Sequence, residues 1–464
     1  MVFSSVIFLF FFLPIVLLGY YLVRNITLKN ILLLLASLLF YAWGEGILVL
    51  LVVVSAFINY TFGYLVATTK RKNLFITIGI ILNLALLIYY KYFGFIIENL
   101  DHLKFIHLNK TSIALPIGIS FFTFHGLSYL IDIYRGKSSY QKSFFNLLLY
   151  ITFFPQLVAG PIVRYHDIAN QLLGRESTMD KTIEGIRRFI IGLAKKALIA
   201  NQIGALADQI FSTDYSLFGS SVAWLGIISY TLQIYYDFSG YSDMAIGLAK
   251  MFGFDFLENF NFPYISGSVR EFWTRWHISL SNWFRDYLYI PLGGNRKGDF
   301  ATYRNLLIVF FCTGLWHGAS WNFIIWGFYH GFFMIIERLF LSKYLERHKI
   351  LQHLYAVPVI IISWVFFRIE DFKQGLHYLF KMFKFFSSHT YKLHISSFMN
   401  PEYWIILGIA ILLCIPWQRI LIVKKPTYKV ALEYTQVAFL LGIFLLSIMS
   451  VITDTYNPFI YFRF

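Results

Sequence analysis

Two stretches carry the residues able to do chemistry. Residues 310–331, FFCTGLWHGASWNFIIWGFYHG, hold His317 and His330 in a setting apolar enough for a bilayer. Residues 270–294, REFWTRWHISLSNWFRDYLYIPLGG, add His277 among tryptophans and arginines. An ionisable ring at membrane depth either ties helices together as polar glue or lines a pathway or site. A neutral imidazole there can act as a general base, its pKa set by burial. These residues alone leave His317 open between glue and site. His330 lies about 220° round an ideal helix from His317, so the two cannot share a face of one straight helix. Packing is the expectation for His330.

The charged segment reads as a helix with Trp273, His277, Ser281 and Phe284 or Arg285 on one face. Arg270, Arg275 and Arg285 flank that face, with Glu271 and Asp286 as available partners. Tryptophan beside arginine also describes a helix lying in the membrane interface. A helix that only anchors has no need of His277 or Asn282. The run ends in IPLGGNRKG, a turn with a cationic tail suited to phosphate groups.

The elements that must position these residues belong to a membrane protein. The chain has 464 residues, 58% of them hydrophobic, against roughly half in a soluble chain. Its net charge of +15 comes from Lys and Arg in short loops between apolar runs, a pattern of membrane topology that argues against nucleic acid. Cys312 and Cys414 lie in apolar stretches and frame neither a disulfide nor a metal site. Asp237 and Asp243 do not align on one helix face, so capping or salt bridging is expected of them rather than a metal pair. His125, among aromatics, is expected to pack, and FFPQLVAGPIVRY (153–165) to form a kink or re-entrant turn.

A span needs about 20 mostly apolar residues. Candidates are 4–23, 28–43, 46–67, 73–90, 113–134 and 144–163, then 305–318, 321–340, 354–369, 402–423 and 430–452. The first has no basic residue before it and reads as a retained span rather than a cleaved signal. Basic loops at Arg24 and Lys29, at Lys70 to Lys72, and at Arg135 to Lys142 put the N-terminus outside if all are cytoplasmic. Residues 91–112 would then lie along the outer interface. The middle, 164–304, is broken by polar patches, with apolar runs at 188–206 and 217–236, and irregular backbone at membrane depth must line a cavity or be buried in protein. The expected fold is all-α and polytopic, with about 11–12 spans plus re-entrant pieces. The chain is read as one domain, 1–464: N-terminal helices 1–163, core 164–340 and C-terminal helices 341–464.

Taken together, FPQLVAGPIVRY, YYDFSGYSDMAIGLAKMFGF, NFPYISGSVREFWTRWHISLSNWFRDYLYIPLGGNR and TGLWHGASWNFIIWGFYHG resemble the membrane-bound O-acyltransferases, in the bacterial branch typified by alginate O-acetylation. The N-terminal motifs MVFSSVIFLFFFLPIVLLGYYL and LLLLASLLFYAWGE are similar to that branch too. The resemblance implies a central funnel open to both membrane faces and acyl transfer to a hydroxyl. It gives His317, in LWHG, the catalytic role, and makes His277, in RWHISLS, the second family histidine. It implies a thioester donor from the cytoplasm, acetyl-CoA or an acyl carrier protein, and no permanently bound cofactor. It further implies O-acetylated exopolysaccharide or peptidoglycan as product, in a bacterial cytoplasmic membrane, with D-alanyl transfer to teichoic acid in related members. An extracytoplasmic serine-type transferase is the implied partner, and the glycan is reached directly or through it.

Beside that resemblance, Asn282, Trp316 and Trp273 are candidate supporting or orienting groups. Arg270, Arg275, Arg296 and Lys297 are candidates to hold donor phosphates. The closing NPFIYFRF places Tyr461 in an aromatic tail. Such a tail is an interfacial anchor, or else Tyr461 enters the outer cavity and carries the acyl group as a phenyl ester. A different class of function, a proton-coupled transporter or lipid-linked glycan flippase, would show repeat symmetry and charges in several spans, neither of which is evident. A scaffold that only docks a transferase would make His317 dispensable.

Overall fold

The computed structural model describes residues 1–102, 113–386, 391–417, 429–453, 456 and 459–460, with main chain only at 102 and 429–433. Among them every regular element is helical, apart from one isolated bridge between Phe218 and Leu393. Six helices are long and apolar enough to cross a membrane: Ile26–Thr68, Lys72–Asp101, Met179–Ser212, Trp321–Leu345, Lys349–Arg368 and Tyr434–Thr453. Phe8–Leu22 and Pro401–Leu413 are shorter apolar helices. Helices satisfy their own backbone in lipid, which is why so apolar a chain adopts them throughout. The protein is an all-α polytopic membrane protein. The chain divides into two compact units, one of residues 1–189 and 242–258, the other of 190–241 and 259–464.

The first unit contains α1 (Leu13–Leu22), α2 (Ile26–Glu45), α3 (Val49–Thr68), α4 (Lys72–Leu87), α5 (Ile119–Tyr134) and α6 (Phe144–Thr152). Asn59 of α3 and Asn83 of α4 exchange amide hydrogen bonds, each 3.0 Å, in a buried reciprocal pair. Such pairs join helices where lipid offers no hydrophobic drive between them. His125 is buried with its ring 5.4 Å from Tyr150, as packing requires. The expected span 144–163 is not one helix. Pro155 interrupts it after Thr152, leaving a single turn at Phe154–Leu157, and Gly160 and Pro161 keep the chain non-helical beyond. Of the expected interfacial segment 91–112, residues 103–112 lie outside the described residues.

The second unit holds α7 (Asn201–Ser212), most of α8 (Ser220–Met251), α9 (Val269–Arg275), α10 (Ile278–Phe284), α11 (Asp299–His317), α12 (Trp321–Ile336), α13 (Lys349–Arg368) and α14 (Lys429–Thr453). The polar patch around Asp237 does not interrupt α8, because its side chains find partners. Asp237 meets Lys196 at 2.6 Å, both almost fully buried. In the first unit Asp243 meets Arg188 at 2.9 Å. Both aspartates therefore serve salt bridges.

The single helix expected across 270–285 is two. Arg275 ends α9, and His277 takes φ 43° and ψ 53°, a left-handed conformation uncommon outside glycine. Asn259 stabilises this break. Its carbonyl accepts from the Ile278 N–H at 3.0 Å, and its Oδ1 accepts from the Ser279 N–H at 3.2 Å and Oγ at 2.8 Å.

Helices α11 and α12 form an antiparallel hairpin. Arg338, just past α12, reaches Asp299 at the start of α11 at 3.5 Å, while His317 and Trp321 flank the turn. A Cβ added at Gly314 would lie 2.3 Å from the Phe323 carbonyl oxygen, and one at Gly327 2.2 Å from that of Phe310. The hairpin thus packs main chain on main chain. Asn322 donates to the Ile369 carbonyl, which sets the end of α13 beside the start of α12.

Candidate active site

His317 is the last residue of α11, 1% exposed. Its ring meets Trp316 at 4.9 Å, Trp326 at 5.0 Å and Phe367 at 5.1 Å. Trp316 continues to His277 at 5.7 Å, and Trp326 to His330 at 5.0 Å. All three histidines of the two stretches therefore sit in one buried aromatic cluster, His317 between the others. The break between α11 and α12 brings this about, since on one straight helix His317 and His330 would diverge.

The polar contacts assign tautomers to the outer two rings. His277 Nδ1 lies 3.2 Å from Oδ1 of Asn259, an acceptor held by two further donors from Ser279, so the proton is on Nδ1. Trp273 donates its indole N–H to Nδ1 of His330 at 3.3 Å, so that ring carries its proton on Nε2. His277 thus directs a basic nitrogen, and His330 a donor, from Nε2.

Two cavities lie at different ends of the hairpin. The first, about 380 Å³, runs along α11 from Leu306 to Thr313, one turn short of His317. Trp273, Leu280, Phe284 and Phe310 supply apolar lining, and Arg270, Arg285 and Arg338 line it as well. Glu337 also lines it. Its carboxylate accepts from the N–H groups of Val269 at 2.5 Å and Arg270 at 3.0 Å, capping α9 and holding Arg270 in place. The second cavity, about 260 Å³, begins at Gly318, the residue after His317, and is more polar. Asp208, Gln233, Arg368 and Glu370 line it together with Tyr230 and Phe367.

Of the residues expected from sequence, His317, His277, Trp316 and Trp273 come together in the cluster, and Arg270 lines the first cavity. Ser281 lines that cavity where Asn282, half-buried beside it, does not. Arg275 is held by Glu271 at 2.8 Å and by the Asn261 carbonyl at 3.0 Å, away from the cavity. Arg296 and Lys297 are exposed on the following turn, from which only Asn295 reaches the lining. Tyr461 lies outside the described residues. Sequence reasoning passed over Arg338 and Glu337, although a lone carboxylate in an apolar run is itself a signal. It also passed over Asp208, Gln233 and Arg368, which no local spacing connects.

Residues 80–369 match the model of the membrane-bound O-acyltransferase family. The chain is 39% identical to a probable alginate O-acetylase of Pseudomonas putida, over 100% of both chains. It is 36% identical to a peptidoglycan O-acetyltransferase of Helicobacter pylori, over 82% of this chain and 79% of the other. A teichoic acid D-alanyltransferase of Bacillus subtilis is 31% identical over 50% of this chain and 61% of its own length. With a family match over more than half of its length and full-length relatives, the chain belongs to the membrane-bound O-acyltransferase family.

Proposed function

We propose that this O-acyltransferase moves an acetyl group from a cytoplasmic thioester, acetyl-CoA or an acyl carrier protein, to a hydroxyl of a cell-envelope polysaccharide. It works as a multi-pass protein of a bacterial cytoplasmic membrane, with a serine-type transferase on the outer side as partner. His317 is the general base. The carrying observation is its position at the end of α11, with a cavity one turn before it and another beginning at the next residue.

The donor enters the first cavity. Its phosphates meet Arg270, Arg285 and Arg338, and its thioester arm lies along Trp273, Leu280, Phe284 and Phe310, where water is excluded. The acceptor hydroxyl approaches from the second cavity. His317 takes its proton as the oxygen bonds to the carbonyl carbon. The tetrahedral intermediate then collapses, the C–S bond breaks, and the departing thiolate takes a proton back from the imidazolium. A base supplies on the order of 10²–10⁴ in rate, and aimed hydrogen-bond donors a further share. His277, set by Asn259, and Trp316 between the two rings orient His317.

Surface-polymer acetate measured for wild type and His317→Ala tests the reading. Acetate is expected to vanish at normal protein levels. Unchanged acetate would remove His317 from the chemistry and favour a docking scaffold.

A further inference from the structure

Helix α9 brings two residues to the first cavity, Arg270 and Trp273, on a length of seven residues. Isolated helices shorter than about 12–15 residues are marginal in water, so the place of α9 is set by what ties it down. Its start is tied to α12. The buried carboxylate of Glu337, the residue after α12, accepts from the Val269 N–H at 2.5 Å and from the Arg270 N–H at 3.0 Å. Ser268, the residue before α9, takes the next donor, the Glu271 N–H, on its own Oγ at 3.0 Å. One turn on, Trp273 donates to Nδ1 of His330 at 3.3 Å. His330 and Glu337 are two turns apart and share a face, so α9 is held against α12 by two sets of polar contacts.

The far end of α9 is held by other residues. Asn261 donates its N–H to the Arg275 carbonyl at 2.9 Å, and its own carbonyl accepts from Nη1 of Arg275 at 3.0 Å. Two residues beyond, the turn at His277 is fastened by Asn259. The cavity end and the histidine end of α9 therefore have separate anchors. Glu337 is 1% exposed in the apolar helix Trp321–Leu345, where a carboxylate is costly and marks a functional role by default. Its oxygens are occupied by the two α9 N–H groups and by the Tyr355 hydroxyl at 3.1 Å. Its task is with the main chain of α9, and like charge disfavours a direct contact with a donor phosphate.

We propose that Glu337 is a positioning residue for the acyl donor: by fixing the first turn of α9 on α12 it sets Arg270 and Trp273 in the first cavity, while Asn261 and Asn259 set the histidine end without it. The inference rests on the reading of that cavity as the donor site. It assigns donor affinity to one end of a short helix and base orientation to the other, so that the two can fail one at a time.

Acetyl-CoA titrations of native membranes carrying the full chain, read as CoA thiol released, test this. Glu337→Gln keeps the shape but leaves one acceptor oxygen for two α9 N–H groups. The KM for acetyl-CoA should rise about tenfold, the loss of one buried hydrogen bond, with kcat within about twofold of wild type. Val269→Pro reaches the same contact from the other side and keeps the carboxylate. Proline suits the first position of a helix, and Ser268 before it is already extended at φ −154° and ψ 161°. It should raise the KM in the same way. Tyr355→Phe removes a donor that α9 does not carry, and its KM should match wild type. In an Arg270→Gln background, Glu337→Gln should add little further, because the two act on one contact. The inference is overturned if Arg270→Gln raises the KM while Glu337→Gln and Val269→Pro leave it unchanged. It is also overturned if those two lower kcat at constant KM, or if the effects of Arg270→Gln and Glu337→Gln multiply. Failure of both Glu337→Gln and Val269→Pro to accumulate in membranes would mark a role in folding alone and overturn it too. A KM unmoved by Arg270→Gln itself would instead remove the donor from the first cavity, and the inference with it.

Discussion

His317 and His330 lie on the same indole: the ring of Trp326 is 5.0 Å from each. A residue expected only to pack is thus one ring away from the proposed base, and its tautomer is set by Trp273. Trp273→Phe keeps the aromatic surface and removes the hydrogen bond to His330. A cost on the order of 1 kcal/mol is expected. It should be read as a lower thermal midpoint by intrinsic fluorescence in detergent.

The proposed division of labour between His317 and His277 predicts different losses. His317→Ala should reduce acetyl transfer by about 10²–10⁴, the share a general base supplies. Asn259→Leu keeps both imidazoles but removes the acceptor at His277 Nδ1 together with the two Ser279 hydrogen bonds that help hold the turn at His277. About a tenfold fall in kcat is expected, with donor KM held. Steady-state kinetics with acetyl-CoA separates the two variants, and equal losses would contradict the assignment.

In the proposed function, the arginines lining the first cavity act on donor charge. Arg270→Gln combined with Arg285→Gln should raise the KM for acetyl-CoA and make it less sensitive to salt, because partly exposed charges are screened. A KM that stays put across 50–300 mM salt (roughly one to two halvings of the Debye length) in both proteins would refute the phosphate role.

Glycines in the hairpin and elsewhere divide sharply by environment. Gly314→Ala and Gly327→Ala force a Cβ against a backbone oxygen at 2.3 and 2.2 Å, and overpacking of that kind costs about 1–3 kcal/mol. Both should lose activity and folded yield. Gly442→Ala, which meets nothing within 4 Å, is the matched control and should behave as wild type.

The buried pair of Lys196 and Asp237 should be intolerant of single changes. Lys196→Met leaves a carboxylate buried 2% exposed, a loss of about 3–5 kcal/mol. Lys196→Met with Asp237→Leu removes both charges and should regain much of it, although Asp237 also accepts the Ile460 N–H at 2.8 Å. Comparing folded yield from membranes for the single and double variants checks this.

What could be read ahead of the structure follows the range of the interactions involved. Spans such as Lys349–Arg368 announce themselves because twenty apolar residues are a local property. The left-handed turn at His277 was not legible, since a helical periodicity continues on paper through a residue whose conformation is imposed by Asn259. Helix α8 was read only as a run ending at residue 236 because Asp237 looks polar alone, and its partner, Lys196, is remote in the chain. Asp208, Gln233 and Arg368 lie on three helices, so only folding assembles the second cavity.

The main-chain contact between α11 and α12 bears on how the enzyme meets bilayers of different thickness. Hydrophobic mismatch is absorbed by tilting or bending whichever helices can move. A hairpin whose backbones already touch has no side-chain cushion to compress, so it can only move as a body. The helix Tyr434–Thr453, 6% buried over its apolar window, is the least packed of the six long apolar helices and so the least restrained against tilting. The surroundings of His317, at the end of α11, are thereby shielded from changes in lipid composition, and the adjustment falls on less tightly packed helices.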